Sequence, residues 1–84
     1  LPITSYKVPE GIKVIGRGAF ALCEDLREVI LPRTIEVIQR EAFLQACKLR
    51  TIIFQGTTDE WGDIIKGSLW WAGTGNVIIK CLGG

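Results

Sequence analysis

Residues 9 to 31, PEGIKVIGRGAFALCEDLREVIL, and residues 32 to 54, PRTIEVIQREAFLQACKLRTIIF, are two versions of one 23-residue string. The pairs Pro9/Pro32, Ile12/Ile35, Val14/Val37, Ile15/Ile38, Arg17/Arg40, Ala19/Ala42, Phe20/Phe43, Leu26/Leu49 and Arg27/Arg50 are identical, and positions 29 to 31 match 52 to 54 in kind. Shifting back once more maps Ile3, Tyr6 and Val8 onto Leu26, Val29 and Leu31, so residues 1–8 read as the tail of an earlier unit. A repeat this short cannot enclose a core by itself. It must stack on its neighbours, with like residues forming columns, which is the logic of a solenoid.

Within each unit the pattern assigns parts. Leu26-x-x-Val29-x-Leu31 and Leu49-x-x-Ile52-x-Phe54 are short β-rich runs with inward-pointing apolar residues. Proline ends the first run at Pro32, as it ends the preceding tail at Pro9, because it cannot donate to a ladder. Residues 12–15 and 35–38 predict a second extended stretch. Residues 17–23 and 40–46 predict a single helical or 3₁₀ turn that places Ala and Phe under the stack.

The last thirty residues depart from this period. Thr57-x-x-Glu60 is a capping box, and it predicts a helix of about two turns through Lys66, stopped by Gly67. Trp61, Ile64 and Ile65 share one face of that helix, with Asp59 and Glu60 at its positive end and Lys66 at its negative end. Trp70-Trp71, a Gly-Thr-Gly turn at 73–75 and the alternating Val77, Ile79 and Cys81 follow. Helix and strand together read as a cap over the end of the stack, with one of the two adjacent tryptophans buried. Nothing comparable stands at the start. Ile3, Tyr6 and Val8 leave that end bare, either because the chain is cut from a longer array or because the bare end self-associates, and the cut array is favoured.

These residues resemble the BspA-type (Treponema pallidum-type) leucine-rich repeat. The string Leu31-Pro32-x-x-Ile35-x-x-Ile38-x-x-x-Ala42-Phe43-x-x-Ala46-x-x-Leu49-x-x-Ile52 is similar to that family's pattern. Cys23 stands at the family's cysteine position and Gly16 at its glycine position. Ala46 and Gln39 depart from these in the second unit, so a Cys23–Cys47 bridge is not implied. Phe54-x-Gly56-Thr57-x-x-x-Trp61-x-x-Ile64, followed by Trp70 and a late Val77…Cys81 strand, resembles the family's terminal unit. The expected fold is an α/β repeat solenoid, a leucine-rich-repeat-like right-handed coil with short strands, single helical turns and a C-terminal helix–strand cap. Residues 1–84 form one domain, divided as 1–8, 9–31, 32–54 and the cap at 55–84. The resemblance implies a protein-binding module on an exported or cell-surface bacterial protein, with adhesion to host matrix glycoproteins among the family's associations. The competing expectations are a cap or spacer of a longer array, a carbohydrate-binding module and, last, an enzyme.

Composition narrows these classes. Ten Lys plus Arg against nine Asp plus Glu give +1, which draws the chain toward neither nucleic acid nor an anionic membrane. No apolar run reaches the ~20 residues of a membrane span. There is no histidine, hence no common general base and no common metal ligand, and no cofactor is expected. Cys23, Cys47 and Cys81 match no metal-ligand spacing and read as small apolar fillers. The carboxylates Glu24, Asp25, Glu28, Asp59, Glu60 and Asp63 fall on turns or an exposed helix face. Ser5 and Ser68 have no base to activate them, and no lysine follows Gly73-Thr74-Gly75 as a phosphate loop requires. The chain starts at Leu1 without a methionine, which reads as a trimmed fragment, so a missing signal peptide says nothing about export.

The strand alternation points instead to a surface. With Leu26, Val29 and Leu31 inward, Arg27, Glu28 and Ile30 face out, joined by Arg50, Thr51 and Ile53 and by Thr4, Ser5 and Lys7. A basic column (Arg27, Arg50) then runs beside an apolar one (Ile30, Ile53), with Val14 and Val37 as a second ridge. Branched residues also favour strands whatever they face, so a binding role and plain β-propensity explain the isoleucines equally well. Trp70 or Trp71 offers a platform on which a sugar ring could stack.

Overall fold

The computed structural model describes residues 4–71, 74 and 76–83. Seven strands and one helix follow in order: β1 (Ser5–Lys7), β2 (Val14–Ile15), β3 (Glu28–Leu31), β4 (Val37–Ile38), β5 (Thr51–Phe54), α1 (Thr58–Asp63), β6 (Ile65–Lys66) and β7 (Ile78–Cys81). They build two parallel sheets, β1-β3-β5-β7 and β2-β4-β6, which the chain visits alternately as it winds. The register is the sequence repeat made physical. Ser5 lies opposite Glu28, Glu28 opposite Thr51, and Val14 opposite Val37, each 23 residues on.

The core is the set of inward columns. Val29 on Ile52 and Leu31 on Phe54 alternate with half-exposed neighbours along β3 and β5, the burial pattern of a sheet with one wet face. Val29, Leu31, Ile38, Ala42, Phe43, Ala46, Ile52 and Phe54 have no exposed surface. Each large side chain among them contributes roughly 1.5–3 kcal/mol by burial, before conformational entropy is subtracted. An aromatic column lines the third side. Phe20 stacks on Phe43 at 5.1 Å with planes 6° apart, and Phe43 meets the edge of Trp70 at 6.1 Å. Tyr6 extends the column past Phe20 at one end, and Trp61 joins Trp70 to Phe54 at the other.

Of the helical or 3₁₀ turn expected on that third side, the structure has turns closed by bonds three residues back and no continuous helix. Ala19, Ala21 and Cys23 donate to carbonyls three residues back (Gly16, Gly18 and Phe20), but left-handed residues interrupt any helix. Gly18 and Glu41 have φ of 68° and 59°, and Leu22 and Gln45 have 61° and 56°, at equivalent places in successive coils. Reversing the backbone at these points aims alternate N–H groups at carbonyls of the next coil. Phe20 N–H thus donates to Ala42, Leu22 to Leu44 and Phe43 to Trp70.

Residues 55–81 also differ from the cap geometry expected of them. The chain lays down another coil, β6 pairing with β4 and β7 with β5, both parallel. Offsets of 28 (Val37 opposite Ile65) and 27 (Thr51 opposite Ile78) replace 23, because α1 is inserted after β5. The helix is shorter than expected. It ends at Asp63, Ile64 is already extended (ψ 130°), and Ile65–Lys66 is strand. Ile64 is consequently buried, but Ile65 turns to solvent with 68% of its surface exposed, so the three apolar residues do not share a face. Lys66 reaches back and donates to the carbonyls of Trp61 (2.8 Å) and Ile64 (3.2 Å), its ammonium 4.6 Å from the Trp61 ring centroid. Partial burial pushes its pKa down.

The helix entry is built as the capping box requires. Glu60 N–H donates to Thr57 Oγ1 and Thr57 N–H to Glu60 Oε1, while Arg33 from the preceding coil donates to the same oxygen at 2.8 Å. The Arg33 hydrogen bond, followed by the Thr57 N–H, holds the Glu60 carboxyl down to about 2 from an ordinary 4.5. A carboxyl with a lower pKa folded than unfolded stabilises the fold above the ordinary carboxylate range, and that stabilisation is lost as pH falls toward about 2. The gap in urea midpoint between the wild type and Glu60→Gln should therefore be widest above pH 4.5 and close toward pH 2. A gap independent of pH would remove Glu60 from the acid response.

Ile3, Gly73 and Gly75, to which the sequence assigns a buried position and a turn, lie outside the described residues. All three cysteines are free thiols. Cys23 and Cys81 pack against the core as fillers, but Cys47, displaced one residue from the repeat position that Ala46 holds, is exposed.

Candidate interaction surface

Parallel in-register stacking turns every outward position of β1, β3, β5 and β7 into a row across the sheet. One row is Ser5, Glu28, Thr51 and Ile78, and the next is Lys7, Ile30, Ile53 and Lys80. Just ahead of β3 and β5 stand Arg27 and Arg50, their backbones linked by Arg27 N–H to Thr4 O and Arg50 N–H to Arg27 O. Lys7, Glu28, Ile30, Thr51 and Ile53 thus fall in the outward rows, and Arg27 and Arg50 stand just ahead of them. Arg27, Arg50, Lys7 and Lys80 are exposed there, while Ile30 and Ile53 are half-buried between their neighbours. Glu28 accepts from Ser5 Oγ at 3.3 Å. Ile78 and Lys80 belong to the same surface but escape a 23-residue count, since β7 sits at an offset of 27. Aligning Trp70 with Phe43 would have revealed it.

The smaller sheet carries a second row. Val14, Val37 and Ile65 stand opposite one another, with Val14 and Ile65 exposed, so the Val14/Val37 ridge gains a third member. In the inward row, Ile15 and Ile38 are followed by Lys66, whose charge is satisfied as described above.

The two tryptophans separate. Trp70 takes the place of Phe20 and Phe43 in the aromatic column, half-buried against Phe43 and Trp61. Trp71 is 55% exposed. Both line a concavity of about 320 Å³ with Thr74, Asn76, Val77 and Ile79. Thr74 is buried and its hydroxyl donates to Trp71 O at 2.7 Å, which holds this corner against the turn.

A second concavity, of about 340 Å³, opens at the foot of the large sheet between Arg27, Arg50, Lys48, Cys47, Leu49, Thr74 and Asn76. No helix among the described residues is long and apolar enough to cross a membrane.

Among family models, the one described as BspA type leucine-rich repeat region (6 copies) matches residues 1–65. No curated protein and no solved structure matches the chain.

Proposed function

Because the chain belongs to the BspA-type leucine-rich repeat family, we propose that it is a non-catalytic protein-binding module of an exported or cell-surface bacterial protein, serving adhesion to matrix glycoproteins. The observation carrying this reading is the outward side of the four-stranded sheet. It sets Ile30 beside Ile53 in one row and exposed Arg27 beside Arg50 in another. A rigid repeat scaffold presents such rows without ordering anything further on binding, and arginine with apolar neighbours is the composition of interface centres.

Biolayer interferometry of the chain against immobilised matrix glycoproteins tests the proposal, with Ile30→Asp/Ile53→Asp run beside the wild type. Saturable binding that the variant loses at least tenfold is the expected result. Since both isoleucines are half-buried, the milder Ile53→Thr and a circular dichroism spectrum separate lost binding from lost fold. Binding that the variant keeps would move the adhesive surface elsewhere. No binding by the folded wild type would favour the cap or spacer role, to which the polar ending of the Ile15–Ile38 row in Lys66 also speaks.

The Trp70–Trp71 concavity favours one other reading, a carbohydrate site with Trp71 as stacking platform. Quenching of tryptophan fluorescence by a soluble oligosaccharide would shift weight to it.

A further inference from the structure

We infer that the cleft at the foot of the large sheet is a carboxylate-binding subsite, and that the segment recognised on this surface is an acidic, extended peptide. The inference rests on the reading of the sheet as the binding surface and specifies its partner.

Charge is the first argument. The chain is close to neutral overall, yet the outward side of this sheet carries Lys7, Arg27, Arg50 and Lys80 against Glu28. Four of the chain's ten basic residues thus meet one acidic residue here, a local positive excess. Arg27 and Arg50 stand just ahead of adjacent strands, about 4.8 Å apart in the pairing direction, with Arg50 N–H donating to Arg27 O. Among the described residues neither guanidinium has a hydrogen bond or an ion pair. Other basic side chains are engaged: Arg33 with Glu60, Lys66 with backbone carbonyls, and Lys48 with Asp25 at 3.7 Å. Two like charges held side by side by the register repel one another, and an anion placed between them relieves that repulsion.

Shape is the second argument. The open cleft of about 340 Å³ is lined by both arginines, with Lys48 and Asn76 at its edge, so two unpaired guanidinium groups border one concavity. A guanidinium can grip a carboxylate through two parallel N–H bonds, which a lysine cannot. Further along the strands, past Glu28 and Thr51, lie Ile30 and Ile53, the apolar ground for the peptide's neighbouring side chain. The four strands span about 14 Å, a width that about four to five extended residues cross. A short segment alternating acidic and branched apolar residues fits both rows at once.

Fluorescence anisotropy with a labelled ten-residue peptide of alternating Glu and Val tests this, beside the same peptide with Gln for Glu and a heparin fragment of similar length. The expected result is saturable binding of the Glu peptide, at least tenfold weaker for the Gln peptide. Arg27→Gln/Arg50→Gln should weaken Glu-peptide binding at least tenfold, and raising salt should weaken it further. Both arginines are exposed, so this variant keeps its circular dichroism spectrum. Equal binding of the two peptides overturns the carboxylate subsite while leaving the sheet as the binding surface. Tighter binding of heparin overturns the peptide assignment in favour of a sulfated glycan. No binding of either peptide overturns the inference outright, and the matrix-glycoprotein assay with the isoleucine variants then judges the surface independently.

Discussion

Phe43→Ala should lower the stability of the chain by about 3–5 kcal/mol, and a urea titration followed by tryptophan fluorescence reads it as a large fall in midpoint or a shortened native baseline. Phe43 has no exposed surface and sits in the middle of the aromatic column, flat against Phe20 on one side and at the edge of Trp70 on the other. Truncating a fully buried phenylalanine costs about 3–5 kcal/mol. An 84-residue chain has total stability of roughly 4–13 kcal/mol, so one substitution removes from about a quarter of it to all of it. Position matters as well as burial. Phe20 is only half-buried, with Tyr6 beyond it, so Phe20→Ala should cost less than the about 3–5 kcal/mol of a fully buried phenylalanine. If the two variants prove equally stable, the column is not continuous through Phe43.

The comparison of Phe20 with Phe43 also shows what the sequence could express. Columns of identical residues were legible because stacking repeats the same environment at each coil. A side chain buried in one coil must find its counterpart buried in the next, and Val29 on Ile52 and Phe20 on Phe43 answer to that directly. Three features were not legible, each for its own reason. The third side reads as a helical or 3₁₀ turn, but Glu41 and Gln45 hold left-handed backbone where nothing in their residue types announces it. Only the carbonyl pairing to the next coil, a contact far away in sequence, makes that conformation worth its cost of about 1–2 kcal/mol per residue. The true extent of α1 was hidden because Thr57 and Glu60 fix a helix start firmly, while its end is set by β4, which draws Ile65–Lys66 into the sheet. Residues 65 and 78–81 escaped the repeat count because α1 lengthens the coil. Ile78 and Lys80 accordingly lie opposite Thr51 and Ile53 at a place a 23-residue count does not reach.

Gly67→Ala should destabilise the last coil by about 2–3 kcal/mol, the upper part of the range for forcing atoms into filled space. Gly67 follows β6, and its N–H donates to Ile38 O at 2.7 Å, which draws the two coils together where Arg40 leaves β4. A Cβ built on Gly67 would collide with the Arg40 backbone nitrogen, and it would lie 2.7 Å from Arg40 Cα and 2.9 Å from the Gln39 carbonyl carbon. Backbone cannot swing aside as a flexible side chain can, so either the rung opens or the coil shifts. In a one-dimensional stack the damage stays near its source. Amide hydrogen exchange should therefore accelerate in β6 and β7 while β3 and β4 keep their protection. Gly62→Ala is the matched control. Its Cβ meets nothing within 4 Å on an exposed helical position, so helix propensity should raise stability by up to about 1 kcal/mol. Should Gly67→Ala behave like Gly62→Ala, the close approach of the last two coils is not required for the stack. Acceleration spread evenly over all seven strands would instead mean that the chain unfolds as one unit, with no separately yielding terminal coil.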